Sequence, residues 1–131
     1  MEDLPMSETD VSNDVRQFLV ENIRSIEQLE ILLLLRASSD RTWTAQEVYQ
    51  RVLTNETSVR ESLERLREHC LIRVAGESTY QFVSNTETQE VLEKLAGLYK
   101  EKPARIIYAL YGPQRAELDA FAQAFKFRQP K

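Results

Sequence analysis

The sequence has one cysteine, one histidine, three glycines and four prolines among its 131 residues. A single cysteine excludes an internal disulfide and suits a reducing compartment; with a single histidine it leaves no zinc-ligand set. Scarce glycine and proline weigh against a fold of many strands and tight turns, because those residues punctuate such folds. The longest aliphatic run, Ile31 to Leu35, is bounded by Glu30 and Arg36. That is far short of the ~20 apolar residues of a membrane-spanning helix, so it reads as a buried core segment and no membrane partner is expected. The start, Met1-Glu2-Asp3-Leu4-Pro5, lacks the basic and apolar regions of a secretory signal, and a cytoplasmic location is expected. Neither a glycine-rich phosphate loop nor a Gly-x-Ser-x-Gly elbow is present, so no enzyme activity, cofactor or metal is expected.

What is present is charge, and its placement is uneven. The net charge is −4. Residues 1–40 carry nine acids and three bases, residues 41–83 six of each, and residues 84–131 six acids and eight bases. Acidity thus gathers near the N-terminus, while the middle of the chain is neutral. That balance weighs against a simple nucleic-acid binder, which shows a basic face.

Apolar spacing divides the chain into helices. Residues 1–12 hold Pro5 and four acids with little to bury, and are expected to form a flexible acidic tail. Val15, Phe18, Leu19 and Ile23 recur at helical spacing, with Ser12 or Asn13 as cap. A second helix over about 26–37 is apolar nearly all round and marks the core. Arg41-Thr42-Trp43 suits a bridge or short strand. Thr44 and Glu47 have the spacing of a capping box, opening a short helix with Val48, Tyr49 and Val52 inward. Asn55 caps a helix from about Thr57 to His69 or Cys70, whose apolar stripe is Val59, Leu63, Leu66 and Cys70. Residues 71–74 and 79–83 alternate around Ala75-Gly76-Glu77-Ser78 as a hairpin. Ser84 or Thr86 opens a helix with Val91, Leu92, Leu95, Leu98 and Tyr99 as its face. Pro103 opens another, carrying Ile106, Ile107, Leu110 and Tyr111, which Gly112-Pro113 stops. Residues 112–131 read as an amphipathic helix with Leu118, Phe121 and Phe125, followed by a basic end.

The order helix, short strand, helix, turn, helix, hairpin, helix is that of a winged helix-turn-helix. The stretch from Thr44 to Arg73 resembles, without gaps, the helix-turn-helix of bacterial winged-helix transcriptional regulators of the multiple-antibiotic-resistance and related classes. The likeness rests on hydrophobic pattern and spacing, and covers some 60 residues once the core helix and wing are included. It implies a mainly α fold with a small β-hairpin wing and extra helices at both ends. The domain spans 13–111, with its core motif at 26–83. It also implies double-stranded DNA as partner, read by the second helix of the motif in the major groove, with the wing on phosphates or the minor groove. Carried over by position, the contacts would come from Thr57, Ser58, Arg60, Glu61 and Arg65, with Glu56 beside them. Ser78, Thr79 and Glu77 would serve on the wing; apart from the resemblance, Arg41, Arg67 and Arg73 read as unpaired candidates for phosphate contact. Glu56, Glu61 and Glu77 depart from the family pattern, which favours bases there. Two-fold operators demand paired reading heads, so the resemblance further implies a homodimer, for which Phe18, Leu19, Leu118, Phe121 and Phe125 are the candidate interface.

Two alternatives stand beside this. Arg60 with Glu64, and Glu61 with Arg65, have the i, i+4 spacing of ordinary pairs on a solvated helix face. The same scaffold can also serve as a protein-interaction module, in which acids on the second helix carry no penalty. His69 suits a structural role at a helix C-terminus, and Cys70 suits the core.

Overall fold

The computed structural model describes residues 11–83 and 85–112. Among these it is mainly helical, with one small antiparallel sheet. The helices are α1 (Asn13–Asn22), α2 (Ile26–Ala37), α3 (Ala45–Val52), α4 (Glu56–Glu68), α5 (Thr86–Glu101) and α6 (Pro103–Tyr111). The strands are β1 (Trp43–Thr44), β2 (Ile72–Val74) and β3 (Thr79–Phe82), in the order β1-β3-β2. Trp43 pairs with Tyr80 and Ile72 with Phe82, so the hairpin borrows β1 as a third strand.

Local chemistry explains most boundaries. Thr44 and Glu47 close a reciprocal capping box at α3, each side chain accepting from the other's backbone N–H, at 3.1 and 3.0 Å. Asn55 caps α4 by accepting from Ser58 N at 3.0 Å. Asn85, rather than Ser84 or Thr86, caps α5 by accepting from Thr88 N at 2.9 Å. Pro103 stands in the first turn of α6, where its missing N–H costs no bond.

Helix α2 is the centre of the molecule. Leu29, Ile31, Leu32 and Leu35 are fully buried, and the helix packs on α3, α4 and β3. Helix α4 contributes Val59, Leu63 and Leu66 to the same core, while Trp43, Leu71, Ile72 and Phe82 close it from the sheet side. The α1, α5 and α6 helices pack on one another and supply Val15, Leu92, Leu95, Ile106 and Leu110. Three bonds pin α5 and α6 to α2: Tyr99 Oη donates to Glu30 at 2.8 Å, Arg36 Nε to Gln89 at 3.0 Å, and the Ile26 N–H donates to Tyr111 Oη at 2.8 Å.

Other sequence expectations also need correction. Val11 belongs to the core at 4% exposure, so the expected tail over 1–12 gives way to ordered packing by that residue. Cys70 is exposed and not part of the α4 stripe. The helix ends first: Cys70 takes φ +64, its N–H donates to Arg67 O, and the Leu71 N–H reaches back to Leu66 O. That is a Schellman ending, which turns the Cys70 side chain outward and buries Leu71 in its place. Of the apolar residues that α6 carries, Ile106 and Leu110 are buried, whereas Ile107 and Tyr111 are 43% and 57% exposed. Lastly, the i, i+4 pair expected at Arg60–Glu64 is replaced by Arg60–Glu56 and Arg67–Glu64, and the one expected at Glu61–Arg65 does not form among the described residues. Residues 1–10 and the expected helix and basic end after Gly112 lie outside the described residues.

Candidate interaction face

Helix α4 is held at a fixed attitude by polar contacts on its inner side. Glu27 of α2 accepts hydrogen bonds from three hydroxyls: Ser58 at 2.8 Å, Ser62 at 3.1 Å, and Thr54 in the turn before the helix. Ser62 is only 6% exposed, so this carboxylate satisfies a hydroxyl that would otherwise be buried without a partner. Ser58, expected on the reading face, is therefore turned inward toward α2; its position three residues after the cap Asn55 places it on the core side.

The opposite side of α4 is open. Thr57, Arg60, Glu61 and Arg65 are all exposed. Arg60, Glu61, Glu64, Arg65 and Glu68 line a shallow groove of about 480 Å³ along the helix. The expected residues Thr57, Arg60, Glu61 and Arg65 are thus brought together. The first turn carries Glu56, whose carboxylate suits the positive end of the helix dipole and holds Arg60 at 3.2 Å. Arg67 pairs with Glu64 at 2.8 Å, and Tyr80 from β3 donates to the same carboxylate at 2.9 Å. Both contacts, Arg67 first, hold the Glu64 carboxyl below its ordinary range, while burial and then the Glu64 bond raise the Tyr80 phenol. Among the described residues Glu61 and Arg65 form no ion pair.

The hairpin adds little positive charge. Arg73 is exposed on β2 and donates to Gln81 at 2.9 Å; Ser78 is exposed at φ +61 in the turn. Thr79, expected to reach outward, donates its hydroxyl to Ala75 O and closes the turn instead. Gly76 at φ +88 allows that turn, and Glu77 beside it is exposed. Arg41 lies at the far end of β1, stacked 3.6 Å from the Trp43 ring centroid and 3.4 Å from Glu47. Counting α4 and the hairpin together, four arginines (60, 65, 67, 73) face five glutamates (56, 61, 64, 68, 77).

The expected dimer residues separate in the same way. Leu19 is fully buried against the core and offers nothing to a second chain. Its position on α1 faces the packed group, whereas Phe18, one residue away, is half-buried and lines a groove between α1 and α5. Leu118, Phe121 and Phe125 lie outside the described residues.

Sequence reasoning missed Glu27, Tyr80 and Gln28. Gln28 is 1% exposed, donating to Asn22 O and accepting from Arg24 N, both at 2.9 Å, which fixes the α1–α2 corner. His69 sits at the end of α4 with Nδ1 3.0 Å from Asn22 Oδ1, a structural tether to α1. Among the described residues no cluster of His, Cys, Asp and Glu could hold a metal ion, and no helix is long and apolar enough to cross a membrane. Comparison with protein-family models, with curated proteins and with solved structures gives no match for this chain.

Proposed function

We propose that the chain is a winged-helix module that acts through contact with another protein, using the outward face of α4 and the β2–β3 wing. The observation that carries this reading is the charge balance of that face: five glutamates against four arginines, with Glu56 at the helix end that would approach a phosphate. Phosphate neutralisation dominates affinity for duplex DNA, and each carboxylate brought to that surface adds repulsion and loses its own hydration. A protein surface of mixed charge meets no such penalty and can answer both signs across the groove beside Arg60, Glu61 and Arg65.

A second reading, sequence-reading DNA binding, draws on Thr57, Arg60 and Arg65 sharing one exposed face of α4. The exposed Glu56–Arg60 pair is worth only ~0.5 kcal/mol, so Arg60 is available to a better partner. What opposes this reading is the net charge, not the local pairing.

The two readings part on a charge-restoring variant. Glu56→Lys with Glu61→Lys changes the balance without touching the core. The variant should gain salt-sensitive affinity for duplex DNA that the native chain lacks. Native binding as tight as the variant's would contradict the proposal.

A further inference from the structure

Away from α4, a groove of about 260 Å³ runs between α1 and α5. Its floor is apolar, from Phe18 and Val91, both half-buried, and its rim carries Asp14, Glu21 and Glu87. Lys94 holds Asp14 at 2.8 Å, and Gln17 donates to Glu21 at 2.9 Å; Glu87 and Glu21 keep the rim negative. The volume is below the ~300–1,000 Å³ of small-molecule sites. It suits one or two inserted side chains flanked by positive charge.

The chain itself carries such a segment. Residues 125–131, Phe-Lys-Phe-Arg-Gln-Pro-Lys, hold two aromatic side chains, three bases and no acid. The other end does not fit, since residues 1–10 carry four acids and no base. The distance is also suitable. Tyr111, one residue before Gly112, is bonded to the Ile26 N–H, which places the exit of α6 beside the α1–α2 corner. Helix α1 is ~15 Å long, and residues 113–124 can span ~18 Å even as a helix and ~40 Å when extended. We propose that the α1–α5 groove is the docking site of this chain's own basic, aromatic C-terminal segment, residues 125–131. Phe125 or Phe127 covers Phe18 and Val91, and Lys126 and Arg128 face Glu21 and Glu87.

Amide hydrogen exchange on the full chain, read by mass spectrometry over residues 120–131, tests this. The native segment should exchange roughly tenfold more slowly than in Glu21→Lys with Glu87→Lys, and adding Lys126→Glu with Arg128→Glu should restore protection. The milder Glu21→Gln with Glu87→Gln should lie between, with exchange in α2 and α4 serving as the control that the fold persists. Exchange of the native segment at the rate of the isolated 113–131 peptide would overturn the proposal. So would protection that ignores both groove variants. Protection that rises with protein concentration would assign the groove to a second copy's segment and overturn docking within one chain.

Discussion

At the scale of single residues, Leu53 and Cys70 each hold a left-handed backbone, φ +56 and +64, that costs an ordinary side chain ~1–2 kcal/mol. Both are exposed, Leu53 at 71%, so neither gains much burial in return. Glycine at either site removes the strain but enlarges the unfolded ensemble by ~0.4–1 kcal/mol. Leu53→Gly and Cys70→Gly are therefore each expected to raise stability by ~0.5 kcal/mol, seen as a higher denaturant midpoint at unchanged slope. Gly112 behaves oppositely: a Cβ there would lie 2.6 Å from Tyr108 O. Gly112→Ala should lower the melting temperature. Apolar spacing put Cys70 in the α4 stripe and marked the conformation of neither residue. A helix ending is decided by which carbonyls the next two N–H groups reach, and apolar spacing does not encode that.

Between elements, Glu27 is the polar hinge of the α2–α4 pair. Glu27→Ala would leave the buried Ser62 hydroxyl without its acceptor, while Ser58 keeps Asn55 O and exposed Thr54 meets water, and should cost ~1–3 kcal/mol in chemical denaturation. Ser62→Ala alone should cost less, because the carboxylate keeps its other donors. A second link joins α1 to α5. The Lys94 ammonium, and then the Ser12 hydroxyl, draw the Asp14 carboxyl down to about 2 from an ordinary 3.8. A carboxyl lowered in the fold contributes stability that is full above its unfolded value and is lost as pH falls through the folded one. The stability difference between the native chain and Asp14→Asn should therefore be full above about pH 5, shrink as pH falls through 4 to 2 and vanish only below about pH 2, followed by thermal melting across that range. Helical periodicity placed α2, the Thr44/Glu47 spacing placed the capping box and period-two alternation placed the hairpin, since each is written in short-range spacing. Glu27 and Gln28 were not legible, because a carboxylate and an amide on a helix read as solvated until the neighbouring helix is in place. Ser58 was misassigned for the same reason.

For the whole molecule, the decisive quantity is the charge presented outward. The net −4 of the chain is not spread evenly, and the α4–hairpin surface, where the resemblance implies DNA contact, carries more acid than base. This part of the reading was legible early, since Glu56, Glu61 and Glu77 stand in plain view in the sequence. The structure adds that these charges share one exposed surface, where the weak pairs of Arg60, Arg67 and Arg73 leave the excess of acid as the factor that decides. A duplex binder making several phosphate contacts would lose orders of magnitude in affinity between about 50 and 200 mM salt. The direct test is a fluorescence anisotropy titration of the native chain against random-sequence duplex DNA at about 50 mM salt, alongside Arg60→Ala with Arg65→Ala. The account predicts no saturable binding by either. Saturable native binding that weakens steeply with salt and is lost in the double variant would contradict it.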